Sequence, residues 1–266
     1  MKSEGKIYVQ VCKLCGETKP LVKSHIIPEA FWREVRNKNE IPLLISSGQN
    51  QIPKKAPIGV YDNTILCAAC EVSFGKLDDY GIKVLLRKSD ELFQPIRNED
   101  GSVVYVAKEI DQQVLLKFFV SVILRASISV QPFYKRINIE SSHKEIAKKL
   151  LRSDDEMDLK PFGVVLSRWQ SEDKNINLSK NLMDPFQENL QGVNTYRVYF
   201  GKFTAHIKVD DRDFPYPLNE CALGSNSLVV VAARNFSESR EFEVMRDTVR
   251  KSNLNVKTLR RHFSVR

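Results

Sequence analysis

Apolar residues recur at helical spacing over residues 110–129, where Val114, Leu115, Phe118, Phe119, Val122, Ile123 and Ala126 share one broad face. This pattern predicts the clearest helix in the chain. HKEIAKKLL (143–151) predicts a second, shorter helix, and ESREFEVMRDTVRKS (238–252) a closing one. Elsewhere in this half the pattern changes to short β-branched and aromatic runs. FGVVLSRW (162–169), TYRVYFGKFTAHIKV (195–209) and SLVVVAARNF (227–236) predict strands, with Tyr196, Tyr199, Phe200 and Phe203 as sheet core. Residues 104–266 are therefore expected to form an α+β domain, with helices on one face of a mostly antiparallel sheet.

The first hundred residues read differently. KIYVQV (6–11) predicts a short strand, and KPLVKSHIIP a β segment leading into a helix. Pro28 suits the first helical turn, and Phe31, Trp32 and Val35 continue with helical spacing. Residues 37–60 are loop-like, with Gly48, Pro53, Pro57 and Gly59. GVYDNTIL (59–66) predicts a turn and a strand. CAACEVSFGKLDDYGIKVLLRK, from Cys67, predicts a helix broken near Gly75 or Gly81. The polar turn RNEDGSV (97–103) suggests a boundary between domains spanning 1–98 and 104–266.

Cysteine changes this picture most. Cys12 and Cys15 form one C-x-x-C pair, and Cys67 and Cys70 a second. No stretch reads as a membrane span, and MKSEGKIYVQ has no apolar signal region, so a cytoplasmic protein is expected. In that setting paired cysteines point to metal rather than disulfides. Four thiolates suit the closed tetrahedron of a structural Zn²⁺. Cys221, far along the chain, reads as a small buried thiol. The net charge is +8, with ten basic residues against five acidic ones before Tyr61 and a basic C-terminal stretch that includes Lys257, Arg260, Arg261 and Arg266. Such a balance suits a polyanion, and equally suits solvated faces.

His25 is the one of four histidines that lies between the cysteine pairs. It could be a ligand, a base or a buried polar residue. Cys-x-x-Cys, then His25 in KSHIIP, then Asn63 ahead of Leu66-Cys67-x-x-Cys70, resembles the zinc-containing branch of the HNH (ββα-metal) endonucleases over roughly residues 8–90. The resemblance implies a zinc-stabilised ββα-metal fold and hydrolysis of nucleic-acid phosphodiesters, with DNA favoured. It implies His25 as general base, with Asn63 or Asp62 orienting the imidazole or holding the loop. It implies a catalytic Mg²⁺ or Mn²⁺ at Glu71, which stands where His or Asn is usual, and at Asp62. Ser24 replaces the family's usual Asp before the histidine, so Asp78 or Asp79 could also contribute. Lys23, Lys76, Arg260 and Arg261 are candidate nucleic-acid contacts. By analogy the setting would be bacterial or phage defence, or a toxin effector.

Plainer readings stand beside each of these. His25 could be a satisfied structural histidine, Glu71 a helix N-terminal acid, Asp62 a turn residue and Asp78-Asp79 a solvated face. Arg125 interrupts an apolar helix and could snorkel to solvent or bind phosphate, the former being expected. The protein could then be a non-catalytic zinc module binding nucleic acid or a partner protein. It could also be a regulatory protein, with a protein partner or a second copy engaged through 104–266.

Overall fold

The computed structural model describes residues 9–35, 43–44, 54–56, 58–152, 160–171, 178 and 182–251. The chain opens with β1 (Val9–Val11) and β2 (Thr18–His25), joined by the turn that carries Cys12 and Cys15. After α1 (Glu29–Val35) and the short ribbon of β3 (Leu43–Leu44) with β4 (Lys54–Lys55), β5 (Tyr61–Cys67) returns antiparallel to β2. The order of this small sheet is β1-β2-β5. Ser24 lies opposite Asp62 and His25 opposite Tyr61, with an irregularity in register between Val22 and Ser24. Phe31 and Trp32 are buried, as their spacing predicts. Gly59 has φ +83, and the Trp32 ring lies 2.3 Å from where a Cβ would stand, so only glycine fits the approach to β5.

α2 (Ala68–Ile82) follows β5 directly and runs unbroken through Gly75 and Gly81, contrary to the expected break. At Gly81 a Cβ would meet the Phe118 ring at 2.6 Å. Glycine there lets two helices approach closely. A π-helical turn, Lys83–Arg87, and α3 (Ser89–Leu92) complete this part.

The larger sheet begins with β6 (Gln94–Arg97) and β7 (Val103–Ala107), a hairpin whose turn is closed by the Asn98 N–H on Ser102 O at 2.9 Å. α4 (Gln112–Ile128) is capped by Asp111, whose carboxylate accepts from the Val114 N–H. α5 (Ser141–Arg152), β8 (Phe162–Gln170), β9 (Phe186–Leu190), β10 (Val193–Phe200), β11 (Phe203–Val209), β12 (Val229–Asn235) and α6 (Arg240–Lys251) follow. The strand order is β6-β7-β12-β8-β11-β10-β9, antiparallel except for β12 beside β8. The single strand expected over 195–209 is a hairpin, because Gly201 has φ +62 and turns the chain at Gly201-Lys202.

Alternation along β10 sends Tyr196, Val198 and Phe200 into the main core with α4, and Tyr199 to the opposite face with Trp169, Phe236 and Phe242. The main core continues from Cys12 through Phe31, Phe118 and Phe200 to Val231. α2 packs along α4. The boundary expected at 98–104 is thus the turn of a hairpin within the larger sheet, and both regions share one apolar core. Among the described residues no helix is long and apolar enough to cross a membrane.

Candidate metal centre and adjacent polar site

Cys12 and Cys15 sit on the β1–β2 turn, and Cys67 and Cys70 at the junction of β5 with α2. The turn is tight: the Gly16 N–H donates to Cys12 O at 2.9 Å and the Lys13 N–H to Ile65 O at 2.9 Å, which fixes it against β5. The four sulfurs lie within 4.8 Å of one another, with Cys15 Sγ 4.0 Å from Cys67 Sγ. A tetrahedron of thiolates on Zn²⁺ has edges of about 3.8 Å. The cysteines are therefore placed to hold a metal ion, and the donor set suits zinc.

Protonation points the same way. Burial pushes the Cys12 thiol up, yet backbone N–H groups of Cys15, Cys67 and Leu14 outweigh it and lower the thiol to about 6. Burial and the neighbouring sulfurs push Cys70 well above the ordinary thiol range. Without a cation the cluster cannot hold four thiolates; a divalent ion removes that conflict. Cys221 is half-buried and lies outside the cluster.

One residue beyond Cys70, in the first turn of α2, is Glu71. The cysteine clamp thereby fixes where its carboxylate points. Ser24 is fully buried on β2, and its hydroxyl donates to Glu71 Oε2. The backbone N–H of His25 faces the same carboxylate and helps to lower its pKa. Burial raises the Glu71 carboxyl above its ordinary value, opposed by Ser24 and by Arg125. Ser24, which stands at the family's usual Asp position, and Glu71 thus touch.

The His25 imidazole is held by a backbone carbonyl. Its Nε2 lies 2.9 Å from Ile58 O, and a carbonyl only accepts, so Nε2 carries the proton. Nδ1 is left as the basic nitrogen. Burial lowers the imidazole below the ordinary histidine value, keeping it neutral near pH 7. Tyr61 packs edge-on against the ring at 5.9 Å between centroids, and the Lys23 ammonium sits 4.7 Å above Tyr61.

Asp62 does not take the roles expected of it. It is fully buried, and its oxygens accept from the Thr64 N–H and hydroxyl at 2.8 and 2.7 Å, the Ser129 hydroxyl at 2.8 Å and the Val130 N–H at 2.9 Å. Four internal donors leave it a clamp between β5 and the end of α4, neither an imidazole partner nor a metal ligand. Asn63 is exposed, and the ring of His25 is oriented by Ile58 in its place. Lys23 and Lys76 are exposed; Arg260 and Arg261 lie outside the described residues.

Arg125 does not snorkel. It is fully buried and holds Asp78 through two hydrogen bonds, at 2.9 and 2.6 Å, so Asp78 is no solvated face residue either. The same guanidinium donates to His25 O at 2.7 Å. α4 therefore grips both α2 and the strand end that bears His25. A lone arginine in an apolar stripe was the sequence signal for this residue, but its partners were not legible. Asp79 is exposed.

The chain matches no family model, no curated protein and no solved structure. What the geometry offers chemically is a neutral imidazole with a free basic nitrogen, beside a carboxylate and a hydroxyl that suit a hard divalent cation.

Proposed function

We propose that the protein is a metal-dependent endonuclease of the HNH (ββα-metal) type, with zinc at the four cysteines and DNA as the favoured substrate. One observation carries the reading: Ser24 and Glu71 meet at the strand end where His25 is fixed with Nδ1 free. A non-catalytic zinc site has no need of that juxtaposition.

His25 Nδ1 accepts a proton from water as its oxygen bonds to phosphorus, and the bond from phosphorus to the 3′ oxygen breaks. A Mg²⁺ or Mn²⁺ held by Glu71, with Ser24 assisting, would supply charge against the phosphate and the leaving oxygen. The Ile58 carbonyl keeps the imidazole in the tautomer that can act as base and stabilises the imidazolium that forms. Arg125, through His25 O, holds the strand end still. The four cysteines form a closed set and take no part in the chemistry.

The second reading, a zinc module that binds without cutting, is favoured by Ser24, which is a weaker metal donor than the acid usual there. Both are tested by incubating supercoiled plasmid with Mg²⁺ or Mn²⁺ and either wild type or a His25→Ala variant that retains zinc. Nicking by the wild type alone is expected. Its rate should rise with pH through a value below about 6.5, because burial lowers the base. No cleavage of DNA or RNA by the wild type, or equal cleavage by both, overturns the assignment.

A further inference from the structure

A groove of about 920 Å³ runs between the cysteine turn and α5, with Ile128 at the end of α4 among its lining residues. It lies outside the pair formed by Ser24 and Glu71, and four of its eleven lining residues stand on α5, which the nuclease resemblance does not reach. Cations stand on both sides, with Cys12 and Cys15 lining the turn side beside Lys13. Lys13 stands on the turn, its ammonium donating to Ile128 O at 2.7 Å. Lys148, Lys149 and Arg152 stand on α5. The one acid in the lining is Glu145, held by Lys148 at 2.8 Å. Among the described residues no ion pair engages Lys149 or Arg152, and both are exposed.

We propose that this groove binds the phosphate backbone of duplex DNA. The inference rests on the nuclease reading for its choice of polyanion. Phosphate neutralisation by lysine and arginine supplies most of the sequence-independent affinity for DNA. None of the described residues lining the groove is aromatic. Base stacking, the usual hold on single strands, is therefore missing, and so are the aromatic anchors that dominate protein interfaces. What remains is recognition of a charged backbone. The groove also adjoins the candidate site: Ile128 precedes Ser129, whose hydroxyl is held by Asp62, directly opposite Ser24 in the small sheet. A duplex seated here would run past the strand end that bears His25.

The test is fluorescence anisotropy with a labelled random-sequence DNA duplex and full-length protein carrying His25→Ala, which keeps binding apart from cleavage. A variant that adds Lys148→Gln, Lys149→Gln and Arg152→Gln is compared with it, both checked for zinc content and melting temperature. At about 100 mM salt the three substitutions should weaken binding about tenfold or more and reduce the slope of log K against log salt by about 2 to 3. An unchanged affinity and slope, or tighter binding of the single strand, overturns the proposal. Loss of zinc in the variant would overturn it too, since the cations would then serve the thiolates. Plasmid cleavage separates the two readings. Binding lost in the variant, with no cleavage by wild type, keeps the groove and removes the enzyme. Cleavage by wild type with unchanged binding does the reverse.

Discussion

β1 is exposed at each of its three residues, whereas β8 is buried at all but the last of its nine. The small sheet joins the main apolar core through Ile65, Leu66, Phe31 and Phe74. It is fastened at polar points as well: four sulfurs at one end, Asp62 to the end of α4, and Arg125 to Asp78 and His25 O. The seven-stranded sheet carries α4 and its phenylalanines on one face and a second cluster, around Trp169 and Tyr199, on the other. It is fastened everywhere. The difference teaches where chemistry can be placed. Buried charge is kept in both regions, Arg125 in the first and Lys208, Asp210 and Glu241 in the second, so what sets the first apart is a sulfur cluster beside an oriented histidine and Glu71.

The largest expected effect breaks the first region alone. Stripping metal with a strong chelator, or replacing Cys70 by Ser, should lower the melting temperature by about 10 °C or more. Hydrogen exchange should quicken in residues 9–25 and 61–75 before it does in β8 and β11. Uniform loss of protection would mean that the two regions stand or fall together.

The converse is Phe200→Ala. Phe200 is fully buried among Phe31, Phe118 and Phe119, and its truncation should cost about 4 kcal/mol in a denaturant titration. Zinc content at low denaturant should not change.

Arg125→Met comes next, at about 3 kcal/mol, because Asp78 keeps its charge without its partner. Adding Asp78→Leu should recover much of that loss, and a double-mutant cycle measures the coupling. No recovery would make the apolar stem of Arg125, rather than its charge, the contribution that matters.

Smallest is Asp62→Ala, at about 2 kcal/mol near neutral pH. Burial opposes the Asp62 carboxylate, but the hydroxyls of Thr64 and Ser129 and two backbone N–H groups outweigh burial and hold its pKa below the ordinary value. Its stabilisation is therefore complete above the unfolded value of about 3.9 and is lost as pH falls through the folded one. The difference between wild type and variant should be constant from neutral pH to about 5 and shrink below 4. A difference that shrank near pH 6 would belong to His25.

Elements with a clear period were legible in the sequence. α4 announced itself by seven apolar residues on one face, and β8 and β12 by their β-branched runs. The cysteine cluster was legible because two C-x-x-C pairs state their chemistry without a fold. β6, β7 and β9 were not, since strands so short carry too few alternations to read. The hairpin of β10 and β11 was hidden because Gly201-Lys202 interrupts one long apolar run so briefly. At the candidate site the side chains were legible and the partners were not. His25 stood out by its place between the cysteine pairs and Glu71 by the family resemblance, but Ile58 orients His25 through a backbone carbonyl, which no side-chain pattern records. Asp62 misled for a related reason: two of its four donors, from Ser129 and Val130, come from the far end of α4.

The most direct measurement is the binding of Mn²⁺ to the zinc-loaded protein, followed by electron paramagnetic resonance, for wild type, Glu71→Gln and Ser24→Ala. One bound Mn²⁺ in the wild type is expected, lost in Glu71→Gln and weakened in Ser24→Ala, with zinc content equal in all three. No Mn²⁺ bound to the wild type, or the same binding after Glu71→Gln, would contradict a divalent-ion site beside His25.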